Sequence, residues 1–166
     1  ISVGRAVLVS VLSFGFYLFY WMYLTWKHLD SETDGEHHPV WHALTLLVPL
    51  YGLFRMHAHL RVIRELATSK GVTSTLQPGL GVALLFIYNV LGWATLASPG
   101  VGLTLVLTLI GVAMGATLVA MAQLGLNRYW VTVRGESDIR DARLGVGEVV
   151  FVVLGLLAWL GTIFPS

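Results

Sequence analysis

Five apolar stretches fill this chain, at 6–26, 40–54, 80–97, 101–126 and 144–164, and almost every charged residue lies between them. A helix that crosses roughly 30 Å of hydrocarbon needs about 20 predominantly apolar residues. Backbone polar groups have no water to bond with in lipid, so a spanning segment must satisfy them internally. The pattern predicts an all-α integral membrane bundle: one membrane domain over 1–166 with five transmembrane helices.

Composition agrees. The chain is 56% hydrophobic and 11% charged, against about 25% charged in soluble domains. That leaves too little polar surface to cover a water-soluble body. The net charge of +1 carries no nucleic-acid footprint. With no cysteine, disulfides, iron–sulfur clusters and thiolate zinc sites are excluded. The chain opens at Ile1 and not at Met. The run 6–26 is longer than the apolar core of a signal peptide and no small-residue cleavage site follows it. It is therefore expected to stay as the first span, ending in the interfacial anchors Tyr20, Trp21, Tyr23 and Trp26.

The second stretch is short and contains Pro49, so it spans only with a kink or by extending to about residue 58. The alternative is four spans plus a re-entrant or interfacial segment. Ser98-Pro99-Gly100 predicts a tight turn between the third and fourth spans. The segment 27–39 is acidic, whereas 55–78 and 128–143 are basic. Positive residues favour the cytoplasmic side, which places the amino terminus and both basic segments inside. With five spans, the acidic segment and the carboxyl terminus fall outside. Leu53, Met56, Leu60, Ile63, Leu66 and Ala67 recur at helical steps among Arg55, Arg61 and Arg64, predicting an amphipathic helix along the membrane surface.

An internal repeat is visible. Gly15 to Tyr23 aligns with Pro49 to His57 at an offset of 34, pairing Tyr17 with Tyr51 and Met22 with Met56. Each copy sets a helix-perturbing Gly or Pro before a tyrosine, then aromatics, then a polar tail. Inverted repeats with broken helices occur in transporters. Membrane helix ends also favour such residues by themselves.

Three blocks carry a family resemblance: Gly15-Phe16-Tyr17-Leu18-Phe19-Tyr20-Trp21, Pro49-Leu50-Tyr51-Gly52-Leu53-Phe54-Arg55, and the Gln-x-x-Leu-Asn-x-x-Trp segment from Gln123 to Trp130. With Gly147-Glu148 before the last span, the chain resembles the small prokaryotic multi-pass membrane proteins grouped as a domain of unknown function. The resemblance implies the same architecture and a prokaryotic cytoplasmic (inner) membrane. It implies no activity, cofactor or catalytic residue.

Residues able to carry chemistry are few. His37, His38 and His42 stand beside Asp34 and Glu36, but no HExxH spacing accompanies them, and a solvated loop is expected. His42 and His57, if on one helix, are about 22 Å apart and share no haem iron. Glu148 is the sole carboxylate within an apolar run. It is expected to cap the last helix or anchor it at the interface, with Arg143 or Arg128 as its ion-pair partner. Asn89, Gln123 and Asn127 are expected to hydrogen-bond across helices, and the Gly111–Gly115 GxxxG to admit a close neighbour. No catalytic constellation, metal set or cofactor site is expected. The favoured function is non-enzymatic: an accessory subunit of the lipid bilayer that packs against membrane-protein partners or a second copy. The rival is a binder of lipid, quinone or haem between helices around Tyr17, Tyr51 and Asn89. Transport ranks below both, and Arg55 joins Glu148, Tyr17 and Tyr51 as an ionisable or interfacial candidate.

Overall fold

The computed structural model describes residues 1–30, 38–98, 100–135 and 144–164. The described residues form helices and no strand: α1 (Val3–Leu12), α2 (Tyr17–Asp30), α3 (Pro39–Leu44), a 3-10 turn at Thr45–Leu47, α4 (Pro49–Ser69), α5 (Pro78–Leu96), α6 (Val101–Arg134) and α7 (Val146–Ile163). Three of these, α5, α6 and α7, are long and apolar enough to cross a membrane. The acidic residues 31–37, with Asp34, Glu36 and His37, and the basic residues 136–143, with Arg143, lie outside the described set, as does Pro99.

The stretch 6–26, expected as one span, is two helices folded back on each other. The Ile1 carbonyl accepts from Gln123 Nε2 at 3.3 Å and from Asn127 Nδ2 at 3.0 Å. Trp21 Nε1 donates to the same Gln123 side chain at 2.8 Å. In a straight helix residues 1 and 21 would stand about 30 Å apart. Here they meet at one amide, so the chain reverses between them. The reversal is a Schellman-type cap: Gly15 N–H bonds to the Ser10 carbonyl at 2.9 Å and Phe14 N–H to Val11 at 3.2 Å. Ser13 Oγ then accepts from Tyr17 N–H at 2.9 Å and opens α2. Phe14 (φ 59°) and Gly15 (φ 84°) are both left-handed. The glycine accepts this freely; the phenylalanine does so at a cost of about 1–2 kcal/mol.

The stretch 40–58 also turns back. Leu46 lies against Gly52, and His42 on α3 contacts Arg55 on α4. Along a straight helix those thirteen residues would cover about 20 Å. Val48 is extended and Pro49 takes the first position of α4, where its missing N–H costs nothing. The two reversals fall at corresponding points of the repeat, so the Gly and Pro that precede each tyrosine mark turns. Equivalent positions even meet: Thr25 Oγ1 and His59 Nε2, 34 residues apart, lie 2.8 Å from each other.

The α1–α2 hairpin packs along α6 and α7. Arg5 meets Glu148 at the start of α7, Ser13 meets Gly155, and Phe14 meets Trp159. Gly155 lies nine residues into α7, about 14 Å along its axis. Helix α4 is amphipathic as expected, burying Gly52, Met56, His59, Leu60, Ile63 and Ala67 and leaving Arg61 and Arg64 exposed. It ends in a second Schellman cap with Gly71 in the left-handed position. The core gathers Tyr17, Leu18, Trp21 and Met22 of α2, Met56, Leu60 and Ile63 of α4, and Leu118, Val119 and Ala122 of α6. The outer surfaces of α5 and α7 are apolar and exposed.

Candidate functional site

Polar groups inside the bundle are held by the first hairpin. At its open end, Arg5 Nη2 lies 2.5 Å from Glu148 Oε2, with side-chain exposures of 13% and 4%. The same oxygen accepts the Gly145 N–H at 2.8 Å, which caps α7. Glycine supplies no side chain to reciprocate, so the cap is one-sided. Tyr17 is fully buried close by, and Tyr20 stands on Gly147 and stacks on Phe151 at 5.5 Å. The expected partners of Glu148 are not used. Arg128 donates to Thr75 Oγ1 at 3.1 Å, and Arg143 lies outside the described residues. Arg5 takes their place because the hairpin brings residue 5 beside the amino end of α7, a proximity no loop count suggests.

In the carboxyl-terminal part of α6, Gln123 and Asn127 form a second network. Gln123 accepts from Trp21 and donates to Asn127 Oδ1 at 2.8 Å, and both amides donate to the Ile1 carbonyl. A third cluster joins the two hairpins. His59 is completely buried, edge-on to Trp21 at 5.6 Å and tilted against Trp26 at 4.8 Å. Trp26 stacks on His42 at 4.3 Å, and the Arg55 guanidinium lies 5.9 Å from the Trp26 ring. Burial, with Arg55 nearby as a lesser cause, pushes the His59 imidazole down to about 3, so it is neutral. The 22 Å separation expected of His42 and His57 does not apply, because the chain turns between them; His57 is exposed. Among the described residues no three His, Asp or Glu side chains gather as a metal site.

The GxxxG pair faces α5. A Cβ on Gly115 would meet the Tyr88 ring at 3.3 Å, and one on Gly15 would meet the same ring at 3.0 Å. Tyr88 is therefore wedged between α6 and the hairpin tip. Gly111 is near Leu91 at an ordinary 3.6 Å. Tyr17, Tyr51 and Asn89, expected around one ligand, are dispersed. Tyr17 is beside Glu148, Tyr51 is half exposed on the first turn of α4, and Asn89 lines a separate cleft under the hairpin tip. Among the described residues Asn89 makes no cross-helix hydrogen bond.

That cleft has a volume of about 350 Å3 and lies between the hairpin tip, α5 and α6. Phe14, Phe16, Trp93, Leu96, Leu107 and Val112 form apolar walls, and Gly92 and Gly111 leave space. Thr108 is buried there with no hydrogen-bond partner for its hydroxyl. Sequence reasoning missed Arg5, Trp21, His59 and Thr108. Only Ser13 and Gly15, turn formers inside an apolar run, hinted at the hairpin that assembles them. Comparison with family models, with curated proteins and with solved structures finds no match.

Proposed function

We propose that this chain is a non-enzymatic membrane protein with three spans and two re-entrant hairpins, serving as an accessory subunit that packs against other membrane helices. One observation carries the reading: the described residues cover little of α7. Only Glu148 and Gly155 of that helix are buried, and 11% of its apolar window is enclosed. Spans in lipid associate by close packing and hydrogen bonds, without a hydrophobic drive between them. The first hairpin holds α7 along one edge, through Glu148, Phe151, Gly155 and Trp159, and a neighbouring helix from a partner or a second copy would cover the rest.

Ile1, Thr75 and Arg128 gather at one end of α6, and the arginines of α4 lead into the same 70–77 connection. The preference of Lys and Arg for the cytoplasm makes that end internal in a prokaryotic inner membrane. The amino terminus is then inside and the end of α7 outside. Extraction from the native membrane in mild detergent, followed by mass spectrometry, tests the accessory role. Stoichiometric membrane-protein partners or a homo-oligomer are expected; a lone monomer refutes it. A second reading, a protein that holds a small membrane-soluble ligand, is favoured by the apolar cleft under the hairpin tip, whose lining includes the Asn89 amide.

A further inference from the structure

We propose that this chain is a wedge in the membrane: it takes up more area in the leaflet at the amino-terminal end of α5 than in the other, and so favours bilayers that are convex on that side. The inference rests on the two-hairpin topology proposed above and adds a partner, a strongly curved lipid surface. The key observation is that packing stops part-way along all three spans. Among the described residues, α5 buries none after Leu85, α6 buries only Thr108 before Gly111, and α7 buries none after Gly155. Leu85 is the eighth of the 19 residues of α5, and Gly155 the tenth of the 18 of α7. The packed parts belong to one end of the bundle, where α5 begins, α6 ends and α7 begins. The hairpins cause this. The first runs from Asn127, beside Ile1, to Gly155 and Trp159, beside Ser13 and Phe14. The second lies at the same end: Leu60 abuts Gly81, and Ile63 is near Gly125. A helix with its side chains is about 10–12 Å across, or about 80–110 Å2 in cross-section. The first hairpin alone therefore adds about 200 Å2 to one side of the protein.

The second hairpin carries the chemistry that keeps it in that leaflet. Trp41, Leu47, Leu50 and Phe54 are 65–73% exposed. Seven residues on from Phe54, two helical turns, the same face of α4 carries Arg61, with Arg64 a turn further on and Thr68 completing the row, all exposed. One face thus changes from apolar to basic within about 10 Å. That is the composition of a helix lying at the boundary between hydrocarbon and headgroups, its apolar part in the acyl chains and its arginines among anionic phosphates. Crossing to the far leaflet would drag Arg61 and Arg64 through hydrocarbon, which is costly. An acidic protein surface would pair with the arginines but leave the apolar part of the same face in water, so a lipid surface is what fits both parts.

The test uses the full chain, which has no cysteine, as Lys70→Cys or Gly100→Cys in giant vesicles of mixed zwitterionic and anionic phospholipid. An impermeant dye added outside marks, through residue 70, molecules whose hairpins lie in the outer leaflet, and, through residue 100, molecules in the reverse orientation. A thin tube pulled from such a vesicle is convex on its outer side. Molecules marked at 70 are expected to be enriched in the tube about twofold or more over the parent vesicle, and molecules marked at 100 to be depleted. No sorting of either, the result if a second copy fills the far half of the bundle, would overturn the wedge. Equal enrichment of both would overturn it too, because the two orientations would then respond alike to one curvature. The same vesicles test the topology separately. A protein carrying both His38→Cys and Lys70→Cys takes up two dyes or none if the two positions share a side. One dye on every molecule would refute the two-hairpin topology whatever the sorting.

Discussion

Arg5→Met is the most informative single perturbation, because it separates an anchored hairpin from one resting on the bundle. Glu148 is 4% exposed and its Oε2 is shared between Arg5 and the Gly145 N–H. Removing the guanidinium leaves a carboxylate enclosed by Tyr17, Tyr20 and α7. Breaking a buried pair from one side costs about 3–5 kcal/mol, whereas exposed pairs are worth about 0–1 kcal/mol. At 13% exposure Arg5 retains some solvent, so the lower end, about 3 kcal/mol, is expected. Glu148→Gln keeps an acceptor for Gly145 but takes the carboxylate away from Arg5, and should also destabilise the hairpin. The double replacement Arg5→Met with Glu148→Gln leaves no buried charge and should recover most of the loss, a coupling of about 2 kcal/mol or more. Reversible unfolding in mixed micelles with increasing SDS, followed by tryptophan fluorescence, measures all four proteins. If Arg5→Met costs under about 1 kcal/mol, or the two losses simply add, the pair is not what holds the hairpin and the argument fails.

Three other outcomes are expected. The chain has no cysteine, so single cysteines at His38, Lys70 and Gly100 report topology directly. Two hairpins and three spans place 38 and 70 on one side and 100 on the other; labelling of 38 and 70 from opposite sides would restore five spans. At Gly155 an added Cβ runs into the backbone of Ser13 and Leu12. Gly155→Ala should therefore cost about 1–3 kcal/mol in the same micelle assay, and an unchanged curve would mean the hairpin tip does not touch α7. For His59 the sign follows from its depressed pKa of about 3. The unfolded imidazole takes up a proton below about pH 6.5 and the folded one does not. Stability is complete above that pH and falls as pH drops towards 3. His59→Leu should remove that slope; a slope that persists assigns the titration to another group.

Sequence reading recovered the elements whose burial is set by composition. Helices α5 and α7 lie within about two residues of the stretches 80–97 and 144–164, α6 starts with the stretch 101–126 but runs on to Arg134, and the apolar stripe of α4 follows its helical period. Hydropathy counts apolar residues but is blind to chain direction. A run of apolar residues reads the same whether it crosses the membrane or turns at its middle. The turns lay in Ser13, Phe14 and Gly15 and in Val48 and Pro49, where caps and dihedrals decide. Once those reversals were missed, the partners they create were out of reach: Arg5 with Glu148, Trp21 with Gln123, Thr25 with His59. Gln123 and Asn127 were legible because amides in an apolar helix need partners. Thr108 was not, since threonine normally bonds to its own helix and sequence does not show the rotamer.

The Arg5–Glu148 contact joins residues 143 apart in the chain. A ribosome delivers Arg5 long before Glu148 exists, and Gly155, the seat of the hairpin tip, later still. Until α7 is made, the hairpin has α6 to pack against but neither its counter-ion nor the Gly155 seat of its tip. A segment made well before α7 is thus among the last to settle. A nascent chain stalled before α7 should hold its leading hairpin in water, at the lipid surface or against the insertion machinery.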